Sequence, residues 1–459
     1  MKSINGPKSS AFVQLMNWIF RPLDFLEECT EKYGDIFRLN LMGLPPFIAV
    51  SDPKGIEEIL SVDAKKFDAG RTNGLAASLL GDNSLVLLDG SEHRRQRKLM
   101  MPPFHGEKVK SYAETICQIT EKVAGRWQEK QTFSAHKAMQ NITLETILHV
   151  VFGLSEGERY QKIKPPLIEL LDLTGSPLKA SVVFLPFLQQ DLGEWSPWGK
   201  VVRRKRKIYE LLQEEIDARR ANPELSGSDV LSLMMSARDE EGEGLSDIEL
   251  KDQMMTLLVA GHETTATALS WALYWVHKTP EVKEKLLAEL AGFDIAGDPL
   301  GVSRLPYLRA VCNETLRIYP VAFITFLRFA KSPIEVMGHQ FDPETMLAPI
   351  IYSTHHREDL YPNPKQFKPE RFLNRDYSIY EFLPFGGGNR RCIGYALALL
   401  EMKLVLATIL NNWDLALKRD RAIRPKRRGA TIATDNGVPL VLKGKRSQID
   451  RELAIASNR

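Results

Sequence analysis

The sequence has few cysteines and little net charge, and each shortage excludes a class of protein. Its four cysteines are far apart and form no CxxC pair. This argues against a structural zinc site, a disulfide framework and covalently attached haem of the CxxCH type. The formal net charge of +3 argues against a nucleic-acid-binding chain, so we expect no nucleic acid partner. A reducing, cytoplasmic setting fits this composition best.

Long apolar runs are also absent, so the sequence predicts no transmembrane segment. The nearest approach is 11–20, which Gln14 and Asn17 interrupt and which lacks the features of a secretory signal. We expect a surface-docked N-terminal segment, with peripheral membrane contact as the alternative. No repeat, low-complexity tract or linker-like stretch divides the chain, so we predict a single domain over residues 1–459.

The stretch from Pro384 to Gly394 contains the best candidate for a metal-binding thiolate. Cys392 comes just before helix-forming residues that run from Tyr395 to Leu410, so its sulfur lies at the positive end of a helix. The glycines at 386–388 leave backbone N–H groups available and let a flat group approach closely. These features suit axial ligation of haem iron by cysteine. An inert buried cysteine after a glycine turn explains the stretch equally well.

The longest periodic segment runs from Ser246 to Lys278 and predicts a helix that crosses the core. It opens with a capping box, Ser246-Asp-Ile-Glu249, and ends before Thr279-Pro280. The pair His262-Glu263 begins an HExxH zinc-protease pattern, but position 266 is alanine, so the pattern fails.

Polar residues cluster in the middle of this helix, at Ala260-Gly-His-Glu-Thr-Thr265. A Thr264 hydroxyl can bond the Ala260 carbonyl and loosen the helix, which would leave room for water and dioxygen beside Gly261. Glu263, next to that hydroxyl, can relay the protons that reductive cleavage of dioxygen needs. A threonine pair that only caps a kink is the competing explanation.

Charged residues elsewhere form two further groups. Glu314 and Arg317 lie three residues apart on one predicted helix face, and Arg371 can join them in a buried cluster to which we assign a structural role. His93 and Arg97 share the face of another helix and can both reach carboxylates of a bound ligand. The basic residues on the other faces of that helix, Arg94, Arg95 and Lys98, form either a solvated surface or, with Arg391, a docking site for an acidic partner.

Four motifs together resemble those of the cytochrome P450 superfamily. They are Phe385-Gly-Gly-Gly388 with Arg390, Cys392 and Gly394 (FxxGxRxCxG), Ala260-Gly-His-Glu-Thr264, Glu314-x-x-Arg317 and Pro369-Glu-Arg-Phe372. Their order and spacing match the superfamily over nearly the whole chain. The chain looks like soluble cyanobacterial members, and its AGHETT stretch is similar to that of bacterial long-chain fatty acid hydroxylases. The resemblance implies a mainly α fold, a triangular prism with an α-rich lobe and a small β-rich lobe.

The resemblance also implies a role for each matching residue. Cys392 is expected to ligate the iron of haem b, and Glu263 with Thr264 to deliver protons. His93 stands where many members have tryptophan, in the pattern His93-x-x-x-Arg97. The residues expected to bind the cofactor are His93, Arg97, Arg328, Phe385, Gly386, Arg390, Gly394 and Ala260, with Arg328 and Arg390 at propionate-contacting positions.

The activity implied is monooxygenation, in which one oxygen atom of O2 enters a C–H bond. Electrons are expected from an external ferredoxin or flavodoxin with its reductase, because the P450 unit uses the whole chain. Apolar residues predict a pocket for a long-chain fatty acid, alkane or terpene. Its expected lining is Leu75, Leu79, Val86, Phe184, Val321, Phe323, Ile324 and Ile432. Arg71 is either a carboxylate anchor or, more simply, a packing arginine.

Two other functions are compatible with the same motifs. A non-catalytic thiolate-haem sensor would need no proton relay, so the Glu263–Thr264 pair argues against it. A peroxygenase or isomerase would use the same haem, and the acid–alcohol pair again favours use of dioxygen.

Overall fold

The computed structural model describes residues 4–154, 156–174, 189–429 and 431–446. In this part of the chain helices predominate. The α-helices are α1 (Ala11–Phe20), α2 (Pro22–Tyr33), α3 (Pro53–Ser61), α4 (Asp63–Lys66), α5 (Ala77–Leu80), α6 (Gly90–Met100), α7 (Gly106–Ser111), α8 (Ala113–Ala124), α9 (Ala135–Phe152), α10 (Glu158–Thr174), α11 (Pro197–Ala221), α12 (Val230–Ser236), α13 (Asp247–Lys278), α14 (Pro280–Ala291), α15 (Pro299–Val302), α16 (Pro306–Ile318), α17 (Ile351–His355), α18 (Arg371–Asn374) and α19 (Tyr395–Asn412). Short 3₁₀ helices occupy Gly70–Ala76, Pro102–Phe104, Pro223–Leu225 and Gly388–Arg390.

The strands are short and form small sheets. They are β1 (Ile36–Leu39), β2 (Phe47–Val50), β3 (Phe67–Asp68), β4 (Thr132–Ser134), β5 (Arg328–Ala330), β6 (Ile334–Val336), β7 (His339–Phe341), β8 (Met346–Pro349), β9 (Trp413–Leu417), β10 (Pro425–Arg428), β11 (Thr431–Thr434) and β12 (Pro439–Lys445). The largest sheet has the order β1-β2-β8-β5-β3, in which only the β2–β8 pairing is parallel. The remaining sheets are β4-β12-β9, β10-β11 and β6-β7.

Strand β2 shows how the largest sheet joins two apolar clusters. Its side chains alternate in direction, as in any strand, so Phe47 and Ala49 enter a cluster with α1 and α2. Ile48 and Val50 enter another cluster with α3 and β6. This explains why all four residues of β2 are buried, and why the run reads as continuously apolar rather than alternating.

Helix α13 is the central element, and its predicted start and end are confirmed. The Ser246 hydroxyl accepts the Glu249 N–H, and the Glu249 carboxylate accepts the Ser246 N–H at 2.7 Å. The helix packs against α9, α16 and α19 and is buried over most of its length. In a helix that is buried on most faces, a polar side chain costs free energy unless it has a hydrogen-bond partner. The polar residues at 260–265 are therefore candidates for a functional role.

Three apolar stretches show how little local sequence distinguishes short elements. The stretch 68–90 contains a 3₁₀ helix and α5. Between Phe323 and Ala330 a strand forms only at Arg328–Ala330. The run beginning at Met346 turns into helix α17 after Pro349. A short apolar run does not by itself distinguish a strand from a short helix.

Helix α19 is long and apolar enough to cross a membrane, and in the described part of the chain it alone passes that test. However, 67% of its residues are buried inside the protein. Its apolar surface is therefore covered by other helices, chiefly α8 and α13, and we interpret it as a core helix.

Candidate active site

The loop before α19 depends on its glycines. Gly386 and Gly388 have φ angles of +67° and +64°, in the left-handed region that favours glycine. A Cβ on Gly387 would lie 2.6 Å from a methyl group of Leu60, so a side chain there would displace its neighbour. The Cys392 N–H then closes the loop by donating to the Phe385 carbonyl at 2.9 Å. The loop thus holds one sulfur atom at a fixed place ahead of α19.

Cys392 is distinguished by its surroundings. It is accessible to solvent, whereas the other three cysteines are buried. Close packing around the sulfur raises the pKa of the Cys392 thiol, but the Gly394 N–H and the positive charges of Arg97 and Arg391 oppose that rise. The Arg97 guanidinium is held at the loop by donating to the Arg391 carbonyl at 2.7 Å. These donors and charges favour a thiolate, as ligation of a metal requires.

His93 is buried in α6 among positive charges. Its Nδ1 atom has no hydrogen-bond partner in the described chain. Burial, with the nearby charges of Arg390 and Arg97, lowers the pKa of His93 to about 3, so the imidazole is neutral. Arg328 also lies near and is fully buried, donating to the Phe326 carbonyl at 2.6 Å. An unpartnered imidazole nitrogen amid guanidinium groups suits an anionic ligand.

Arg390 has a carboxylate partner that the sequence did not reveal. Its guanidinium pairs with Asp89 and also donates to the carbonyls of Leu85 and Leu88. Asp89 in turn accepts three backbone N–H groups from residues 69–71, at 2.8 to 2.9 Å. Asp89 stands just before α6 but makes no side-chain cap for that helix. Its carboxylate instead joins the cysteine loop to the stretch before α5.

The threonine interaction predicted within α13 is present. Thr264 Oγ1 donates to the Ala260 carbonyl at 2.6 Å, and the helix continues unbroken past this bond. Ala260 itself is exposed, although the helix is otherwise mostly buried. Gly261 allows close packing of α9, because a Cβ there would lie 2.2 Å from Ile147. The groove expected beside Gly261 is therefore filled by Ile147 on the α9 side.

Glu263 is held by two residues of α9 that sequence reasoning missed. Gln140 Nε2 donates to Oε2 at 2.7 Å, and His136 Nε2 lies 3.1 Å from Oε1. Burial raises the pKa of Glu263, but the close contact with His136 and the hydrogen bond from Gln140, with the charges of His136 and His262, together lower it below its ordinary value. Glu263 is thus oriented toward α9. No spacing signal could have found these partners, which lie more than a hundred residues away.

The Glu314 cluster forms as predicted. The Glu314 carboxylate accepts two bonds from Arg317, at 2.6 and 2.8 Å, and one from Arg371 at 3.1 Å. All three side chains are buried. Arg317 also donates to the His355 carbonyl at 2.8 Å, and Arg371 to the Pro362 carbonyl at 2.7 Å. The cluster therefore fixes the backbone of the segment that leads to the cysteine loop.

Comparison with known proteins decides the family. The family model described as Cytochrome P450 matches residues 5–439, nearly the whole chain. The chain belongs to the cytochrome P450 family. It is 36% identical over 442 residues to cytochrome P450 135B1 of Mycobacterium tuberculosis, covering 96% of this chain and 91% of the relative. It is 31% identical to cytochrome P450 135A1 of the same organism, covering 95% and 94% of the two chains.

Solved structures confirm the P450 fold. Cyanobacterial CYP120A1 bound to retinoic acid matches with a TM-score of 0.82 and 24% identity, covering 97% of this chain and 100% of that chain. The haem domain of cytochrome P450DA matches with a TM-score of 0.81 and 24% identity, covering 98% and 99%. At this identity the likeness concerns the fold, and the predicted mainly α P450 architecture is confirmed.

The residues of this P450 fit the haem b that the family binds through cysteine. Cys392 provides an accessible sulfur with N–H and guanidinium groups around it. The unpartnered His93 nitrogen and the guanidinium groups of Arg97 and Arg328, whose charges act on it, are of the kind that binds carboxylates. Gly386 and Gly394 add no side chain that would obstruct a planar group, since a Cβ on either would meet nothing within 4 Å. The protein is accordingly a haem monooxygenase.

The predicted lining of the P450 substrate pocket is only partly accessible. Leu79, Phe323 and Ile432 are packed into the apolar core, with exposed fractions of 4%, 2% and 0%. The Ile432 carbonyl accepts the Trp271 indole N–H at 2.9 Å, which holds it inside. Half-buried positions remain at Val86, Val321 and Ile324. Phe184 and the side chain of Leu75 lie outside the described residues. Apolar character alone did not separate core from pocket.

The basic residues considered either as a solvated surface or as a docking site on this P450 have acidic neighbours. Arg95 donates to Asp239 at 2.6 Å and lies 3.4 Å from Glu249. Lys98 pairs with Glu240. These acids, from the α12–α13 connection and α13, neutralise two of the four charges. Of the others, Arg391 lies over the Tyr395 ring and Arg94 is exposed.

Proposed function

We propose that this P450 hydroxylates a hydrophobic small molecule of the fatty acid, alkane or terpene class. The observation that carries the proposal is the exposure of Ala260 in the middle of α13, a helix that is otherwise mostly buried. Val259, Gly261 and Thr264 beside it are half-buried. An accessible, mainly apolar patch next to the acid–alcohol pair suits an apolar substrate whose C–H bonds are to be oxidised.

We assign the cofactor roles as follows. Cys392 ligates the iron, with Phe385 and the Gly394 N–H beside its sulfur, and Arg97, Arg328 and His93 bind the propionates. We do not assign Arg390 a direct bond to a propionate, because its guanidinium is already bonded to the Asp89 carboxylate. Its role is exerted through Asp89. When bound, the haem supplies the activation of dioxygen for insertion of one oxygen atom into a C–H bond.

Thr264 and Glu263 manage protons in this proposal. The Thr264 hydroxyl donates a hydrogen bond to the Ala260 carbonyl and can rotate away from it toward the accessible side of α13. Glu263 is the adjacent acid, and its bonds to His136 and Gln140 must loosen before it can reach that hydroxyl. General acid–base groups of this kind contribute about 10²- to 10⁴-fold to a rate.

Thr264→Ala is therefore expected to separate electron consumption from hydroxylation. We expect the variant to bind substrate and accept electrons as before, but to lose about tenfold or more of its product per electron pair, with hydrogen peroxide released instead. Product, peroxide and reductant consumed are measured together. Thr265→Ala is the matched control, because Thr265 is buried on the neighbouring face. Equal coupling in Thr264→Ala and wild type would contradict the assigned role.

The substrate class rests on a smaller set of observations. CYP120A1, which shares the fold, is bound to retinoic acid, a long apolar carboxylic acid, in its solved structure. In the present chain the Arg71 guanidinium lies 4.3 Å over the Phe329 ring, and its backbone N–H donates to Asp89. These contacts favour a packing role for Arg71 over a carboxylate anchor.

A spectral binding screen tests the substrate class. Tetradecanoic acid, 1-tetradecanol, tetradecane, limonene and retinoic acid are added to the ferric protein, and displacement of water from iron is followed by absorption. We expect shifts with the long apolar ligands, and Arg71→Ala is expected to leave the ratio of acid to alcohol affinity unchanged. A protein that responds only to small polar ligands would contradict the proposal.

The electron donor and location complete the proposal. We propose an external ferredoxin or flavodoxin with its reductase as the donor, and one catalytic unit over residues 1–459, which the match to residues 5–439 supports. We also propose a cytoplasmic location, with peripheral membrane contact through the exposed side chains of Phe12 and Phe20 on α1 as the alternative.

A further inference from the structure

His136 is a buried histidine whose two ring nitrogens both have polar neighbours on α13. Its Nδ1 lies 3.2 Å from Ser270 Oγ, and its Nε2 lies 3.1 Å from Glu263 Oε1. Neither Nε2 nor Oε1 has an aligned hydrogen-bond partner in the described chain, so their 3.1 Å approach is a close polar contact between two buried atoms. His136 is 3% exposed, so water does not compete freely for these atoms.

The Ser270 hydroxyl determines which nitrogen of His136 carries a proton. Ser270 Oγ donates its single hydrogen to the Ala266 carbonyl at 2.6 Å. It can therefore only accept from His136, so Nδ1 bears the proton. In a neutral imidazole the lone pair of Nε2 would then face a carboxylate oxygen, which is repulsive. A proton on either atom removes this repulsion, as an imidazolium with a carboxylate or as an imidazole with a carboxylic acid.

The remaining contacts act on the Glu263 carboxyl. Gln140 Nε2 donates to Glu263 Oε2 at 2.7 Å, which favours the carboxylate form of Glu263. Among the described residues, His262 is the other titratable group whose charge acts on Glu263. Burial lowers the pKa of His262 to about 4, and its Nδ1 lies 3.0 Å from Thr143 Oγ1, so it is neutral and held apart from the shared proton.

His136 also lies close to solvent through a surface turn. Its backbone N–H donates to the Gly437 carbonyl at 3.0 Å, and a Cβ on Gly437 would be 3.6 Å from the His136 Cβ. The preceding residues of this turn, Asp435 and Asn436, are exposed. The backbone of His136 is thus adjacent to an exposed turn.

We propose that His136 and Glu263 form a proton-sharing pair that supplies the Thr264 hydroxyl during turnover. The Nε2–H bond breaks as an O–H bond forms on Glu263, and Glu263 then leaves Gln140 and passes the proton to Thr264 Oγ1. The original Thr264 hydrogen would then be available to dioxygen, which the bound haem would reduce with electrons from the external donor. Water returns a proton to Nε2. The inference rests on the proposed monooxygenation and adds His136 as a positioning residue.

The test uses His136→Gln in the haem-loaded protein, with His149→Gln as the matched control on the same helix α9. The titration of the Glu263 carboxyl is followed by infrared difference spectroscopy, assigned with Glu263→Gln. We expect His136→Gln to move this titration upward by about one pH unit or more, a tenfold change in proton affinity. His149→Gln should leave it in place. This readout needs no turnover.

The second measurement is coupling, with tetradecanoic acid as the probe. We expect His136→Gln to lose about tenfold in product per electron pair and to show a larger solvent deuterium isotope effect, with unchanged spectral affinity for the probe. Ser270→Ala should change both readouts in the same direction but less, because it frees the imidazole to switch tautomers. If His136→Gln does not fold, Ser270→Ala provides the test of the pair instead.

The outcomes distinguish a failure of the proton-sharing pair from a failure of the proposed function. A Glu263 titration that is unaltered in both His136→Gln and Ser270→Ala overturns the proton-sharing pair. An altered titration with unaltered coupling and isotope effect overturns the role in proton supply. If the wild-type protein oxidises none of the screened ligands, the proposed substrate class fails, and the infrared titration alone then decides whether the pair exists.

Discussion

Glu314→Gln is expected to lower the free energy of unfolding by about 3 to 5 kcal/mol, the cost of breaking a buried ion pair. The substitution keeps the size of the side chain but removes the only charge that faces two buried arginines in this cluster. Arg317 would then keep its bonds to backbone carbonyls without a carboxylate, and Arg371 likewise. Denaturant unfolding of the purified protein measures the loss.

The same substitution should also weaken haem retention. The segment fixed by Arg317 includes His355, whose Nε2 accepts the Leu383 N–H at 3.0 Å just before the cysteine loop. Glu370→Gln is the matched control, because the Glu370 carboxylate pairs with Lys285 near the surface. We expect it to cost at most about 1 kcal/mol. Comparable losses from the two substitutions would show that the Glu314 cluster has no special structural role.

Local signals in the sequence predicted the elements that carry the chemistry. The capping box located the start of α13, the glycines located the cysteine loop, and the AGHETT stretch located the Thr264–Ala260 bond. Each of these features is determined by residues within a few positions of one another, so spacing alone identifies them. The Glu314 cluster could also be predicted from the sequence, because two of its members are three residues apart on one helix.

Long-range partners could not be predicted in the same way. His136 reaches Glu263, and Asp89 reaches Arg390, only because α9 packs on α13 and α6 packs near the cysteine loop. The neutralisation of Arg95 by Asp239 is of the same kind. Tertiary contacts also decided which apolar residues became core, as Ile432 shows. The sequence contains the residues that make these long-range contacts, but it does not show which residue pairs with which.

Cys392→Ala is expected to abolish thiolate ligation completely. Cys392 is the accessible cysteine, and its loop directs the Gly394 N–H and the charges of Arg97 and Arg391 toward the sulfur. Alanine provides no ligand atom, and no other cysteine can substitute, since Cys29, Cys117 and Cys312 are buried elsewhere in the fold. Because Gly386 and Gly388 keep the backbone of the loop, we expect the variant to fold and to bind haem weakly, if at all.

The absorption spectrum of the reduced, CO-bound protein tests this account most directly. Wild type and the control Cys312→Ala, which removes a buried thiol from α16, should both show the band characteristic of thiolate-ligated haem. Cys392→Ala should lack it. A Cys392→Ala protein that kept this band, or a wild-type protein that bound haem without it, would contradict the assignment of Cys392 as the iron ligand.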